Sequence, residues 1–103
     1  MYARVITFSG ADSEKRDKAL DMIQSTVLPM LRTFDGYEGY IMLYDQERSR
    51  AQATILWESE DAANAAEETL AEKRKNIVSQ VGTTIDAVDL YEAPIVELEG
   101  ARV

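Results

Sequence analysis

The stretch from Gly36 to Ala62 limits the possible folds more than any other. It reads Gly-Tyr-Glu-Gly-Tyr-Ile-Met-Leu-Tyr-Asp, a short charged break, and then Ala-Gln-Ala-Thr-Ile-Leu-Trp-Glu-Ser-Glu-Asp-Ala. The polar segment between Asp45 and Arg50 supplies a loop of about four residues, so Tyr37 to Asp45 and Ala51 to Glu58 read as the two strands of a hairpin. Tyr40-Ile41-Met42-Leu43-Tyr44 and Thr54-Ile55-Leu56-Trp57 are apolar at consecutive positions, whereas a strand with one face in water alternates. Both faces of this hairpin are therefore expected to be covered, although a run this short also fits a buried helix segment by pattern alone. With the loop at Gln46 to Ser49, Asp45 faces Arg50, and Tyr40, Met42, Tyr44, Ala51, Ala53, Ile55 and Trp57 share a face. A slip of one residue would change those pairings.

The flanking elements follow from periodicity. Tyr2 to Phe8 is β-branched and aromatic and stops at Ser9-Gly10, as a strand ending in a turn does. Asp12 or Ser13 then caps a helix in which Leu20, Ile23, Val27, Met30 or Leu31, and Phe34 recur at helical spacing. Pro29 falls inside that pattern and cannot donate to the Ser25 carbonyl, which predicts a kink or a loosened last turn and not a second helix. Ser59 caps the next helix, whose apolar stripe is narrow: Ala62, Ala66, Leu70 and Ile77. Lys73-Arg74-Lys75 and Asn76 interrupt the stripe, predicting a bend or restart before Val78, and Gly82 terminates the helix. Thr83 to Tyr91 is the last strand and Pro94 ends it. The chain thus reads as one domain over residues 1–96 with a C-terminal tail over 97–103.

Strand, helix, strand, strand, helix, strand is the order of the ferredoxin-like split βαβ fold, an α+β architecture with both helices on one face of a four-stranded antiparallel sheet. Two helices cover only that face. The economical cover for the other is a second copy of the sheet, so a homodimer joined through its sheet faces is expected.

Composition narrows the chemistry. Nineteen Asp and Glu against 11 Lys and Arg give a formal charge of -8 over 103 residues, which repels phosphates and argues against nucleic acid and anionic membranes as partners. There is no cysteine, hence no disulfide, thiolate nucleophile or zinc finger, and no histidine, the commonest general base and transition-metal ligand. Glu58, Glu60 and Asp61 cluster at a helix start, where the dipole favours acids without any metal. No cofactor and no metal are expected. The N-terminus lacks the basic region of a signal peptide and no segment is long enough to span a bilayer, so a cytoplasmic location is expected.

Six residues are candidates for binding a substrate. Tyr40, Met42, Tyr44 and Trp57, set beside small alanines, either fill the core or the dimer interface, the commoner role, or line a cavity for a flat ligand. Arg4, within the first strand, offers a partner for a substrate carboxylate or phenolate if it points inward; the alternative is an edge or interface salt bridge, with Asp86 and Asp89 of the last strand as charged neighbours only in some sheet orders. Asn76 is the one amide in the second helical region that can point inward, while Lys73-Arg74-Lys75 reads as a solvated face.

Gly36-Tyr37-Glu38-Gly39-Tyr40, the following Asp45, and Trp57-Glu58-Ser59-Glu60-Asp61-Ala62 resemble the antibiotic biosynthesis monooxygenase-like proteins of the dimeric α/β barrel superfamily. There, a Gly-aromatic-x-Gly turn opens the second strand, and a Trp-Glu/Lys-Ser sequence leads from the third strand into the second helix. The resemblance implies a protomer with a cavity between sheet and helices, and a dimer that closes a barrel. It implies a cofactor-independent monooxygenase acting on a small aromatic substrate; the alternative is a non-catalytic dimeric module of the same fold that binds a small molecule or serves only in interactions. The haem-degrading branch is excluded, because its first-strand asparagine, second-helix tryptophan and histidine have no counterparts here. Trp57 corresponds to the fold-marking tryptophan, and no catalytic residue is assigned. Such motifs mark a fold better than an activity. A cavity of about 300 Å3 or more with convergent polar groups would favour the enzyme, and a solid core would count against it.

Overall fold

The computed structural model describes residues 1–100, so the end of the expected tail, 101–103, lies outside the described residues. The β-branched N-terminus forms β1 (Tyr2–Ser9). Helix α1 (Ser13–Met22) starts at Asp12, whose carboxylate accepts the Lys15 amide at 2.9 Å. The helix then widens into a π-helical turn over Ile23–Val27, in which the Leu28 amide reaches back to the Ile23 carbonyl, and α2 (Leu28–Leu31) follows with Pro29 in its first turn. The proline explains the widening. It has no N–H for the Ser25 carbonyl, and a π turn resets the ladder so that the gap falls at the start of a new α-helical turn, where proline is tolerated. The expected loosening therefore lies just before Pro29, and a separate short α-helical turn follows it.

The hairpin consists of β2 (Tyr37–Asp45) and β3 (Arg50–Trp57), followed by α3 (Glu60–Val81) and β4 (Thr84–Glu92). Ser59 caps α3 by accepting the Ala62 amide at 3.1 Å, and Gly82, at φ 89°, ends it in the left-handed conformation. The bend expected at Lys73 to Asn76 does not occur, and α3 runs unbroken for 22 residues. Lys, Arg and Ile are compatible with helical backbone, so an interruption of the apolar stripe changes what the helix buries without breaking it.

The sheet order is β2-β3-β1-β4, antiparallel throughout. Asp45 lies opposite Arg50, and Tyr44, Met42 and Tyr40 lie opposite Ala51, Ala53 and Ile55, the register the loop position predicts. An irregularity between Tyr37 and Gly39 then brings Tyr37 opposite Trp57. Gly36 closes this corner. At φ +82° its carbonyl accepts the Glu58 amide at 2.8 Å, and a Cβ there would lie 2.6 Å from the Ala62 Cβ. Glycine is thus required both for the backbone conformation and for the close approach of β2 to the start of α3.

Strand β1 pairs with both β3 and β4, which settles the surroundings of Arg4. Its cross-strand neighbours are Ile55 and Leu90, whereas Asp89 is opposite Val5 and so points to the other face. Asp86 accepts the Ser9 hydroxyl at 3.0 Å. Neither acid is Arg4's partner. The core joins Ile6, Ala53, Ile55 and Trp57 of the sheet to Leu31, Ala63, Ala66 and Leu70 of the helices. On the opposite face Ala3 and Leu56 are buried, but Leu43 and Tyr91 remain 52% and 55% exposed.

Candidate functional site

Packing the sheet against α1, the widened turn before α2 and the second half of α3 leaves a cavity of about 110 Å3. Its sheet wall carries Ile6, Phe8, Ala53 and Ile55 together with Tyr40, Met42 and Tyr44; its helix wall carries Leu20, Ile23, Val27, Leu70 and Ile77. The volume is below the ~300 Å3 typical of drug-sized ligand sites, but of the order of the ~150 Å3 apolar cavity that accepts benzene. It is therefore the size of one aromatic ring.

The polar groups at this cavity come mainly from β2, α1 and α3. Burial pushes the Tyr40 hydroxyl's pKa well above its ordinary value; Tyr37 adds to the rise and Arg74 opposes it. Tyr40 is thus a neutral donor across the physiological range, and its hydroxyl lies 4.0 Å from Met42 Sδ, a weak contact. The Tyr44 hydroxyl is buried with no hydrogen-bond partner among the described residues, while the Arg16 guanidinium lies over its ring, 5.2 Å from the centroid. An orphaned buried hydroxyl is costly unless something satisfies it.

Behind the cavity lies a charged network. Arg74 donates two hydrogen bonds to Glu67, at 2.9 and 2.7 Å, from two turns further along α3, and its side chain is 11% exposed. Arg4, 9% exposed, reaches α3 beside the small Ala63: its Nη2 donates to Asn64 Oδ1 at 3.1 Å and to the Ala63 carbonyl at 3.5 Å. Its Nε lies 3.8 Å from Glu67, an ion pair too long for a hydrogen bond, and is otherwise unpartnered. The hydrogen bonds from Arg74 hold the Glu67 carboxyl below its usual range against the opposing effect of burial, and the charges of Arg74 and Arg4 assist.

The six sequence candidates are thus distributed among four places. Tyr40, Met42 and Tyr44 come together on the cavity wall. Trp57 is 1% exposed in the core, edge-to-face with Phe34 and Tyr37 at 6.3 and 6.0 Å, and is not part of the cavity lining. Arg4 is held under α3, also outside the lining, and Asn76 is exposed. The sequence reading passed over Arg74, which lines the cavity from within the run taken as a solvated face; Lys73 lines it too, while Lys75 is exposed and lies outside. The readable signal was Glu67, two helical turns before Arg74 on the same side of α3. Among the described residues, no group of three or more His, Cys, Asp or Glu is placed to hold a metal, and no helix is long and apolar enough to cross a membrane.

No family model matches the sequence. Two uncharacterized proteins of Mycobacterium tuberculosis, MT2634 of strain CDC 1551 / Oshkosh and Rv2557 of strain H37Rv, are each 33% identical over 92 residues. The match takes in 89% of this chain and 40% of theirs, so the chain spans less than half the length of these curated relatives. Solved structures match over nearly the whole chain. A candidate antibiotic biosynthesis monooxygenase from Deinococcus radiodurans superposes with a TM-score of 0.70 at 18% identity, over 97% of this chain and 100% of that one. A monooxygenase from the gene ActVA-Orf6 of Streptomyces coelicolor, solved with the ligand nanaomycin D, gives 0.70 at 17% identity over 97% and 92%. A further candidate antibiotic biosynthesis monooxygenase, from Nitrosomonas europaea, gives 0.64 at 14% identity over 92% and 100%. The chain has the ferredoxin-like α+β fold of these antibiotic biosynthesis monooxygenase-like proteins, as its motifs implied.

Proposed function

We propose that this chain is a small oxygenase of the antibiotic biosynthesis monooxygenase-like type, working without a bound cofactor on a one-ring aromatic substrate held beneath Tyr40 and Tyr44. The observation that carries the reading is the ring-sized cavity, walled by two tyrosines and by Arg74, in a fold shared with a monooxygenase solved with the ligand nanaomycin D. The substrate itself would reduce oxygen. The phenol loses its proton, the hydrogen-bearing ring carbon ortho or para to the resulting phenolate bonds to O2, and the hydroperoxide formed there loses water to leave a quinone C=O, so that one oxygen atom stays and the other departs as water. Among the described residues no carboxylate lines the cavity, and the chain has no histidine, so the first proton leaves to water. An acidic substrate is required, with Tyr40 as neutral donor and Arg74 as fixed positive charge stabilising the developing oxyanion.

The test is oxygen uptake with one-ring hydroquinones and activated phenols beside anthrone-like compounds. Uptake with the small substrates, reduced about tenfold or more by Tyr40→Phe, is the expected result. No uptake with any of them would leave the second reading, a non-catalytic small-molecule-binding module, which the small size of the cavity favours.

The same reading includes a homodimer through the open sheet face. Leu43 and Tyr91 stand exposed beside the buried Ala3 and Leu56, which is the pattern of a face awaiting a cover. Light scattering at micromolar concentration is expected to give twice the 11.6 kDa chain mass, and a monomer would contradict it.

A further inference from the structure

The cavity differs in charge from the rest of the molecule. The chain carries -8 overall, yet among the described residues four cationic side chains, Lys15, Arg16, Lys73 and Arg74, line the cavity and no Asp or Glu does. Arg74 is paired with Glu67, and Arg16 Nη1 is paired with Asp17 at 2.9 Å. Among the described residues Lys15 and Lys73 have no carboxylate within ion-pair distance, and the Arg4–Glu67–Arg74 network itself holds two cations to one anion. The wall itself is almost wholly apolar, so these cations act through their field and not as a charged surface; such a field around a partly enclosed cavity attracts small anions while the acidic outer surface repels them. The second, independent observation is the Tyr44 hydroxyl, buried and unpartnered next to Arg16.

We propose that the ligand enters this cavity as an anion: a monocyclic aromatic compound bearing a carboxylate or phenolate oxygen. The inference rests on the cavity being the ligand site and narrows the substrate class of that site. The anionic oxygen accepts the Tyr44 hydroxyl in the field of Lys15, Arg16 and Lys73, and the ring packs on Met42 and Ile23. This arrangement satisfies the orphaned hydroxyl and offsets part of the excess positive charge, which a neutral hydrocarbon does not do.

The experiment is calorimetric titration of the full chain with benzoate and 4-nitrophenolate, each beside a neutral counterpart, benzamide and nitrobenzene, at low and high salt. At least one anion is expected to bind about tenfold or more tightly than its neutral counterpart, with the gap narrowing at high salt. Which anion shows the gap identifies the oxygen type. Tyr44→Phe is expected to weaken the anion about tenfold and the neutral compound by much less, and Lys15→Gln with Lys73→Gln to narrow the gap. If Tyr44→Phe does not fold, the lysine pair and the salt series decide. Neutral counterparts binding as tightly as the anions, or no anion binding at millimolar concentration, would overturn the inference. Anion binding without oxygen uptake removes the oxygenase and leaves this inference standing; uptake with a preference for neutral substrates does the reverse.

Discussion

Trp57→Ala is expected to remove about 4 kcal/mol of stability, the largest effect of any single truncation in the chain. Trp57 is 1% exposed and sits where three elements meet: it ends β3, faces Tyr37 across the irregular start of β2, and packs edge-to-face on Phe34 beyond α2. Each edge-to-face pair contributes about 0.5–1.5 kcal/mol beyond its buried area, and alanine removes both as well as leaving a void. Against a total of about 5–15 kcal/mol for a domain of this kind, the loss leaves a marginal fold. Urea unfolding should show a much lower midpoint with an unchanged slope. Trp57→Phe, which keeps a ring, should lose about 1.5 kcal/mol. It should also bind cavity ligands normally, because Trp57 does not line the cavity. A loss under about 1 kcal/mol in the alanine variant would mean the corner is not held by this side chain.

That corner was readable in the sequence as a motif, but its physical role was not. Gly36, Trp57, Ser59 and Ala62 look like separate signals, and the structure joins them: Gly36 lies against Ala62, its carbonyl holds Glu58, and Ser59 caps the helix that brings Ala62 there. Hairpin register was legible because a short charged loop leaves one way to place Asp45 opposite Arg50, and every tyrosine position then follows by alternation. Side-chain burial on α3 was harder to read. A run such as Lys73-Arg74-Lys75 is ordinarily solvated, and the one local sign that sets Arg74 apart is Glu67, seven residues earlier on the same side of α3; Asn76, two residues on, lies about 200° further round the helix and faces water. Arg4 was ambiguous for the same reason. Its strand could be placed, but the sheet order that separates it from Asp86 and Asp89, and the alanine gap that admits it beneath α3, are properties of the assembled layers.

Removing the carboxylate at the centre of that network should produce the second large effect. Glu67→Ala leaves Arg4 and Arg74, both nearly buried, without the anion they share, and is expected to lose about 3 kcal/mol, the low end for breaking a buried pair because Glu67 is partly exposed. Glu67→Gln keeps the shape and one acceptor but not the charge, so its loss should be smaller. Replacing the pair by apolar residues, Glu67→Leu with Arg74→Met, should recover more than half of the loss, since the penalty comes from stranding a cation and not from the worth of the pair itself. The carboxyl's pKa is lowered in the folded protein, chiefly by the Arg74 hydrogen bonds. Its contribution is therefore fully present above the unfolded glutamate pKa of about 4.3 and is lost as pH falls through the lower folded value. Urea midpoints for wild type and Glu67→Gln should stay a constant distance apart at neutral pH and converge in acid. A gap that persists undiminished well below the folded pKa would show that Glu67 acts by its shape and hydrogen bonds without its charge. A gap that closes identifies the charge as what holds Arg74 against the cavity wall beside Tyr40, with the same carboxylate fixing both the stability of α3 and the position of the cation facing the ligand.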